Sequence, residues 1–430
     1  MESVLSAGDT SWVLTSAALV LLMIPGLAFF YGGMVRSKSV LNMLMMVMSA
    51  LFVVGVLWII FGYSIAFGTS NGGLFGNPTE YLGLEGLMTD DPESVLPVMA
   101  FVAFQAMFAC LTVGLIAGAI PDRMKFGAWI IFGAIWAVIV YFPVAHWVWA
   151  PGGWIFELGV IDFAGGTAVH INAGAAALAL ALIVGRRVGW PKTPMRPHNL
   201  TLVMLGAGLL WFGWFGFNAG SALAANNTSA VVFINTFAAT CAAAIGWLVV
   251  EKIRDGHMTS LGAASGVVAG LVAITPACSA VSPIGALILG VIAGVLCALA
   301  VGLKYRLGYD DSLDVVGVHL VGGLVGTLLI GFLATELAPA GVNGLFYGGG
   351  TEQLGKQAIG AFAVLFYSLI VAAIIAVIIK AVGGIRVSKD VEVGGIDLAE
   401  HAESAYELGE AGGGGVFAGV GHAARNKVEE

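Results

Sequence analysis

Two histidines lie within strongly apolar stretches of this sequence. His170 stands in DFAGGTAVHINAG and His319 in DSLDVVGVHLVGG. In each stretch an aspartate, Asp162 or Asp311, precedes the histidine by eight residues, and a glycine follows it by four. A neutral imidazole offers one hydrogen-bond donor and one acceptor, and it can take up a proton near neutral pH. Two imidazoles in series could therefore line a narrow path and accept or pass on a proton.

The composition of the chain indicates what surrounds these histidines. Of the 430 residues, 59% are hydrophobic and only 10% are charged, and the mean hydropathy is +0.96. Soluble domains carry about 25% charged residues, so the soluble fold classes are excluded. We therefore expect a polytopic membrane protein, in which the 62 glycines allow helices to approach closely in lipid.

Long apolar stretches follow one another along the chain. A helix needs about 20 apolar residues to cross a bilayer, and backbone groups in lipid must bond internally. These requirements predict an all-α membrane protein with eleven transmembrane helices. The predicted spans are 10–32, 41–67, 96–120, 127–148, 164–185, 199–219, 229–250, 260–277, 284–303, 315–335 and 357–382.

Basic residues indicate how the predicted spans are oriented. Lysines and arginines follow the odd-numbered spans, whereas the other side carries only Lys356 among the 18 basic residues. Because basic residues favour the cytoplasmic side, the N-terminus is predicted outside and the C-terminus in the cytoplasm. Residues 1–385 then form the membrane domain, and residues 386–430 form a cytoplasmic tail with a Gly-rich end.

The two histidines occupy equivalent places if spans 1–5 and spans 6–10 are two copies of one unit. His170 lies in span 5 and His319 in span 10, and FFYGG and FGFNAG give a weaker echo at the ends of spans 1 and 6. Because five is an odd number, the copies would run through the membrane in opposite directions. We therefore expect an inverted repeat with the functional site at its interface, and an unpaired span 11.

Asp162 stands about two helical turns before His170, roughly 12 Å at 1.5 Å per residue, which is too far for direct contact. It could cap the N-terminus of span 5. It could also supply negative field at an outer cation site, and the two roles are compatible. Asp311 and Asp314 are expected to play the equivalent structural role on the cytoplasmic side.

Aromatic residues cluster in or beside several spans. Phe104 and Phe108 are four residues apart in span 3, Trp149 follows span 4, and WFGWFGFNAGS places Trp214 and Phe217 in span 6. Most such residues pack in the protein interior or lie at the membrane interface. The alternative is a cation–π cage that collects a small cation above a path gated by phenyl rings.

The energetics of such a path restrict its cargo. A cation–π contact contributes about 0.5–2 kcal/mol, whereas desolvation of a small ion costs of order 20 kcal/mol. Rings can therefore recruit an ion but cannot carry it bare through an apolar path. This comparison favours a protonatable amine that crosses as the neutral base over potassium or sodium.

Several distinctive motifs occur together in one order. They are FQxxF (Phe104, Gln105, Phe108), DFAGGTAVHINAG, WFGFNAGS, DDSLDVVGVHLVGG and IDLAEHAESAY. With these motifs the sequence resembles the ammonium transporter (Amt/Mep/Rh) family, on its Amt branch, from about residue 10 to residue 408. The resemblance implies an eleven-helix fold and a homotrimer in the plasma membrane, with one pore in each subunit. It implies transport of ammonium or ammonia, with methylammonium as an analogue, and no enzyme activity, cofactor or nucleic-acid partner.

The resemblance also implies roles for individual residues. Those implied for the outer ammonium site are Phe108, Trp149 and Ser221, with Asp162 holding the vestibule together. Those implied for the gate and the pore are Phe104, Phe108, Phe217, Trp214, His170 and His319, the last two as twin histidines. Trp147 and Trp154 flank Trp149 in a segment that is looser than the other motifs.

The tail carries a further part of the resemblance. Family tails of the form GxDxxxHxExAY lie on the cytoplasmic face and couple subunits. In prokaryotes the trimeric PII signalling protein blocks the inner face when nitrogen is plentiful, so the resemblance implies PII as a partner. The matching residues here are Gly395, Asp397, His401, Glu403 and Tyr406. No role is assigned to the Gly-rich stretch after residue 410.

The residues leave three hypotheses for function open. In the first, ammonium is recruited outside, deprotonated near the Phe gate and conducted through the pore lined by His170 and His319, either with or without net charge movement. In the second, the chain is an ammonium sensor that signals through its tail and PII. In the third, the two histidines are axial ligands of an intramembrane haem.

Overall fold

A computed structural model of the chain describes residues 4–89, 94–193 and 195–406, which are mostly helical. Residues 407–430, with the predicted Gly-rich end, lie outside the described residues. The α-helices are α1 (Ala7–Met34), α2 (Val40–Leu57), α3 (Tyr63–Phe67), α4 (Val98–Ile116), α5 (Phe126–Trp136), α6 (Phe142–Trp149), α7 (Trp154–Glu157), α8 (Asn172–Val184), α9 (Leu200–Gly220), α10 (Asn227–Asp255), α11 (Ser260–Ile274), α12 (Pro283–Ala300), α13 (Leu303–Leu307), α14 (Val321–Leu333), α15 (Glu352–Val382), α16 (Lys389–Gly394) and α17 (Ile396–His401).

Four π-helical segments extend or join these α-helices. They are Trp58–Gly62, Ala137–Tyr141, Gly166–Ile171 and Val316–Leu320. The first two join α2 to α3 and α5 to α6, and the last two run directly into α8 and α14. The remaining elements are the 3-10 turns Leu82–Leu84, Ala117–Ala119 and Leu345–Tyr347, and the antiparallel strands β1 (Ser70–Asn71) and β2 (Phe75–Gly76), in which Ser70 lies opposite Gly76.

Ten helical stretches within the described residues are long and apolar enough to cross a membrane. They correspond to ten of the eleven predicted spans. The remaining one, predicted at 260–277, is represented by α11, an apolar helix of 15 residues. The helix ends at Ile274, two residues before Pro276, because proline lacks the N–H that continues a helix. The count of eleven spans and the orientation of the termini stay predictions.

Helices α1 and α9, from predicted spans 1 and 6, pack against each other along much of their length. Their glycines make the contact close: a Cβ at Gly206 would lie 2.3 Å from Phe30 N, and a Cβ at Gly213 would lie 2.3 Å from Met23 Cγ. These pairings also show that the two helices run antiparallel. In lipid, where apolar surfaces gain little by leaving the solvent, such backbone proximity supplies the packing energy.

The described part of the tail folds back against one end of the helix bundle, which we call the tail end. Val387 N donates to Arg123 O at 3.0 Å, and Asp397 N donates to Lys38 O at 3.2 Å. The residues after α15 are thereby joined to the loops that follow α1 and α4. The division of the chain at residues 385 and 386 stays a prediction.

Candidate functional site

His170 and His319 meet inside the bundle, although 149 positions separate them in the chain. Their Nδ1 atoms are 3.2 Å apart, and their ring planes are inclined by 26°. Both side chains are buried. Because one Nδ1 must donate and the other accept, the pair corresponds to two neutral imidazoles of opposite tautomer. Among the described residues, no hydrogen-bond partner faces His170 Nε2.

This distance bears on the haem hypothesis. Two nitrogens bound to opposite faces of one metal ion, at about 2 Å each, would stand about 4 Å apart with the ion between them. The two Nδ1 atoms here are 3.2 Å apart and hydrogen-bonded directly to each other. The geometry therefore argues against paired axial ligation.

Both histidines lie in π-helical turns at the start of their helices. His170 belongs to Gly166–Ile171 and His319 to Val316–Leu320. A π turn widens the helix by one residue and occurs often at functional sites. The matched position of the two turns places both imidazoles on the facing sides of the two helices.

Glycines allow these two helices to approach. A Cβ at Gly174 would lie 2.5 Å from Leu320 N, and a Cβ at Gly323 would lie 3.0 Å from Gly166 O. Each glycine follows its own histidine by four residues and contacts the segment that holds the other histidine. This reciprocal contact agrees with the predicted inverted repeat.

Aromatic rings continue the line of the two imidazoles. His170 stacks on Trp214 with ring centroids 5.4 Å apart and lies 6.1 Å from Phe217. The Phe217 ring packs on Phe108 at 4.2 Å with an interplanar angle of 30°. All are buried. We call Phe108, Phe217, Trp214, His170 and His319 the ring column.

Two neighbouring side chains hold the ring column in place. Phe104 packs edge-on against Phe108, with ring centroids 4.8 Å apart. The indole N–H of Trp214 donates to Thr275 Oγ1 at 2.9 Å, and Thr275 donates to the Leu271 carbonyl at 2.7 Å. The indole N–H of Trp214 is thereby bonded to Thr275 and does not bond either histidine.

Asp162 caps the helix that carries His170. Its carboxylate accepts hydrogen bonds from the backbone N–H groups of Gly165, Gly166, Thr167 and Ala168, at 2.9, 2.5, 2.8 and 3.1 Å. It also accepts from the Thr167 hydroxyl. Both oxygens of the carboxylate are thus occupied by this cap, and the side chain is 7% exposed.

Trp149 is the tryptophan that joins Asp162 to the ring column. Its indole N–H donates to Asp162 O at 2.9 Å, and its ring stands edge-on to Phe108 at 5.9 Å. The neighbouring Trp147 donates instead to Leu74 O and packs on Trp154. Trp149 is half-buried, so one part of its ring faces outwards.

An open cavity of about 330 Å³ lies beside Trp149 at the end of the bundle opposite the tail. Asp162, Thr228 and Ser279 supply polar groups to its wall. Ser221, the remaining residue implied for an outer site, donates its hydroxyl to Phe217 O at 2.8 Å. This bond leaves the lone pairs of the Ser221 oxygen free to accept a proton donor.

Asp311 repeats the cap of Asp162 at the tail end. It accepts from Val315 N at 3.1 Å and from Val316 N at 2.7 Å. Burial and the charge of Asp314 raise the pKa of Asp311 to about 7. Asp314 does not share the capping role expected from the sequence: its carboxylate is paired with Lys304 Nζ at 2.6 Å. The φ of 64° at Asp314 turns the chain away from a capping geometry.

A buried network of charges surrounds this cap. Arg187 donates from Nε and Nη2 to the two oxygens of Asp310, at 2.9 and 2.8 Å, and its Nη1 lies 3.6 Å from Asp122. Arg123 donates to Asp310 O at 2.6 Å. Burial raises the pKa of Asp310, but the bonds and charges of the two arginines outweigh burial and hold that pKa below its usual value. In the sequence these arginines indicate only the orientation of the spans, and the adjacent Asp310 and Asp311 are the local signal of this network.

The tail motif docks on the start of α2. Asp397 accepts from Leu41 N at 3.0 Å and from Asn42 N at 2.8 Å, and burial raises its pKa. His401 Nε2 lies 3.0 Å from Asn42 Oδ1. Gly395 has a φ of 128°, a conformation that side chains rarely adopt, and so permits the turn into α17.

The last described residues of the motif reach the loop before α9. Tyr406 Oη lies 2.9 Å from His198 Nε2, whose other ring nitrogen faces Val35 O at 2.9 Å. Glu403 is exposed. The tail motif is thus held at the start of α2, by Asp397 and His401, and at the loop before α9, by Tyr406.

The long apolar helices of the described residues define a polytopic membrane protein. The Ammonium Transporter Family matches residues 11–406. The ammonium transporter of Mycobacterium tuberculosis is 61% identical over 436 residues, which cover 94% of this chain and 91% of that protein. The ammonium transporter of Aquifex aeolicus is 48% identical over 409 residues, covering 95% of both chains.

Solved structures agree with this assignment. Mep2 of Saccharomyces cerevisiae superposes with a TM-score of 0.86 at 34% identity, covering 95% of this chain and 94% of that chain. A structure described as a sensor Amt protein superposes with a TM-score of 0.85 at 31% identity, covering 92% and 98%. The chain belongs to the ammonium transporter family. It is a multi-pass protein of the plasma membrane and transports ammonium; it is not an enzyme.

Proposed function

We propose that the ring column is the conduction path and that ammonia crosses it as the neutral base. Ammonium is first recruited on the side opposite the tail, between Trp149 and Phe108, with the Ser221 oxygen as acceptor. It loses its proton near Phe108 and Phe217, and ammonia then passes the imidazoles. The tail end faces the cytoplasm in this proposal.

The direct bond between the histidines is the observation that carries this proposal. A path of buried rings offers an ammonium ion no compensation for desolvation, which is of order 20 kcal/mol in the Born limit. The pair of His170 and His319 offers ring nitrogens to a neutral molecule that can both donate and accept. Cation–π contacts at Trp149 and Phe108, about 0.5–2 kcal/mol each, are sufficient for recruitment only.

The fate of the proton separates two versions of the mechanism. If the proton returns outside, transport is electroneutral. If it passes along the Nδ1–Nδ1 bond, the net event is movement of ammonium charge, although the molecule itself crosses neutral. The 3.2 Å separation of the two Nδ1 atoms supports the second version, because a proton can move along a bond of this length.

Replacing both His170 and His319 with leucine is expected to reduce methylammonium-driven current at least about tenfold, since the relay loses both of its groups. The measurement is the transient current of reconstituted liposomes after a methylammonium jump. The matched control is His146→Leu, which removes a buried imidazole that bonds Ala66 O and Ser70 Oγ outside the ring column. An undiminished current in the double variant would refute the relay.

A second candidate function, ammonium sensing through the tail, is favoured by the docked tail motif. Asp397 and His401 contact the start of α2, and Tyr406 contacts the loop before α9. A shift of these helices would therefore change the surface that the tail presents. In this proposal the chain is a homotrimer and PII binds its cytoplasmic face, as the family resemblance implies. We rank transport first, because the ring column serves no evident purpose in a sensor without conduction.

Removal of the Asp397 carboxylate is expected to loosen the tail. Asp397→Ala leaves the N–H groups of Leu41 and Asn42 without their acceptor, so trypsin cleavage after the exposed Lys389 should accelerate about tenfold. The readout is the rate of tail loss from purified protein on gels. Glu403→Ala, at an exposed position of the same motif, should leave that rate unchanged. Equal rates for all three proteins would show that Asp397 does not hold the tail.

A further inference from the structure

The segment just before Asp162 is held by α15, the helix of predicted span 11. Gln357 Oε1 accepts from Ile161 N at 2.7 Å, and Gln357 Nε2 donates to Ile161 O at 2.8 Å. The side-chain amide of Gln357 thus bonds both the backbone N–H and the backbone carbonyl of Ile161, as a neighbouring β-strand would. Gln357 is fully buried, and its Nε2 also lies 3.2 Å from Thr327 O in α14.

A second glutamine, one helical turn earlier, supports the first. Gln353 Nε2 donates to Gln357 Oε1 at 2.9 Å and to Gly159 O at 3.2 Å. Gln353 is 7% exposed. Two buried amides of α15 therefore hold residues 159–161, and every bond between them and this segment is neutral. We call Gln353 and Gln357 the glutamine clamp.

The glutamine clamp is connected through Ile161 and Asp162 to Trp149, the aromatic ring that would meet the cation. Ile161 precedes Asp162, and the Asp162 carbonyl accepts the indole N–H of Trp149. On its other side Asp162 is fixed by its carboxylate, through the helix it caps. The peptide that carries the Asp162 carbonyl is also held on its other side, where Phe163 N donates to Pro276 O at 3.2 Å. Release of Ile161 would therefore loosen this peptide from one side, while its bond to Pro276, the cap and the ring column stay in place.

The equivalent position in the other half is held by a different chemistry. Asp310 precedes the cap Asp311 as Ile161 precedes Asp162, and its carbonyl accepts from the Arg123 guanidinium at 2.6 Å. Arg187 adds a second cation there, on the Asp310 carboxylate. One cap segment is therefore held by arginines and the other by uncharged amides.

This contrast matters for a site that gathers cations. An arginine beside Asp162 would offset the negative field of its carboxylate and repel ammonium, whereas an amide leaves that field intact. The basic residue closest to the clamp in the chain, Lys356, is paired with Glu352 at 2.7 Å. The amides thus hold the segment without adding charge to the vestibule.

We propose that Gln357, supported by Gln353, is a positioning residue of the outer ammonium site and raises its affinity by fixing the residue that precedes the peptide orienting Trp149. This inference rests on the proposed function, because it takes Trp149 as part of the recruitment site. In this proposal α15, which belongs to neither repeat, contributes to transport.

Gln357→Met tests this role, because methionine keeps the length and volume of the side chain but loses its hydrogen bonds. The KM for methylammonium uptake into proteoliposomes is expected to rise about tenfold, equivalent to about 1.4 kcal/mol, with the maximal rate within about twofold of wild type. Gln353→Met should raise KM by a smaller factor. Unchanged KM in folded Gln357→Met would overturn the proposal, as would a fall in maximal rate at unchanged KM.

Two further variants separate the possible causes. Ser368→Ala removes another buried bond between α15 and α8, from the Ser368 hydroxyl to Asn172 O at 2.7 Å, and should leave KM unchanged. A rise in KM in this variant equal to that of Gln357→Met would show a general packing effect and overturn the proposal. If Gln357→Met does not fold, Gln353→Met decides the matter by the same criterion.

Trp149→Leu distinguishes a failure of this inference from a failure of the proposed function. If this variant leaves KM unchanged, the recruitment site itself is wrong and the clamp has nothing to position. If Trp149→Leu raises KM and Gln357→Met does not, the recruitment site stands and only the role of the clamp is refuted.

Discussion

Replacement of Asp162 by leucine is expected to abolish methylammonium uptake and to lower the free energy of unfolding by at least about 3 kcal/mol. The carboxylate is the acceptor for the N–H group of Gly165 and for the first three N–H groups of its helix, from Gly166 to Ala168. Helix ends leave such groups unsatisfied, and leucine offers no acceptor for them. Each bond to a charged acceptor contributes about 1.5–3 kcal/mol, so the loss of several is severe even if they are not additive.

Uptake should fail for the same structural reason. The cap determines where the π-helical turn begins and therefore where His170 stands, and Asp162 O also orients Trp149. Uptake into proteoliposomes and thermal unfolding in detergent measure the two effects. Asp162→Asn, which keeps one oxygen acceptor, should lie between wild type and the leucine variant in both assays.

A different cap provides the control for this experiment. Asn226 caps α10, a helix that contributes no residue to the ring column, and accepts from Ser229 N at 3.3 Å. Asn226→Ala should cost about 1 kcal/mol, the usual value for a lost cap, and leave uptake intact. If Asp162→Leu matches Asn226→Ala in stability and transports at the wild-type rate, the capping account is wrong.

Local patterns in the sequence predicted the features that depend on spacing. The matched distances from Asp162 to His170 and from Asp311 to His319 identify two segments with one design, and the structure brings the two histidines into contact. The DFAGG stretch indicates a helix start because aspartate accepts from free N–H groups, and Asp162 does so here. Ten of the predicted spans coincide with long apolar helices, since hydropathy over about 20 residues reflects the thickness of a bilayer.

Contacts between residues that are far apart in the chain could not be predicted from local sequence patterns. Gln357 is one polar residue within a long apolar helix, and nothing near it in the chain indicates that Ile161, 196 positions away, is its partner. Arg187 and Asp310 are separated by 123 positions, so their pairing is a property of the tertiary structure. Asp314 is close to Asp311 in the chain, but its carboxylate pairs with Lys304 and does not cap the helix, because the chain turns at Asp314.

The buried pair of Arg187 and Asp310 leads to the second large effect. Arg187→Met is expected to lower the free energy of unfolding by about 3–5 kcal/mol, because it leaves a buried carboxylate uncompensated. Asp122 would lose a partner as well, and in the described residues its oxygens have no hydrogen bond beyond ion pairs. Lysine should not rescue the loss, since an ammonium cannot bind both oxygens of Asp310 as the guanidinium does.

The pH dependence of this effect has a defined sign. The pKa of Asp310 is lower in the folded protein than its ordinary value of 3.8, so the pair stabilises the fold above that value and loses this contribution as the pH falls through the folded pKa. The difference in melting temperature between wild type and Arg187→Met should therefore be largest near neutral pH and shrink below about pH 4. Thermal unfolding in detergent from pH 7 to pH 3 gives this difference directly, and a gap that widens in acid would contradict the assignment.

Removal of both partners is expected to cost less than the two single losses together, because the double variant leaves neither Arg187 nor Asp310 as a charge without its partner. In the cycle of Arg187→Met and Asp310→Asn, we expect a coupling free energy of about 2 kcal/mol, within the range for residues that share one network. Arg254→Met, which breaks the exposed pair with Asp255, should leave the melting temperature unchanged. Additive effects of the two buried substitutions would mean that Asp310 draws its stabilisation from Arg123 alone. The arginines would then hold the cap segment of Asp311 independently of each other, and the network would have no cooperative role at the tail end of the ring column.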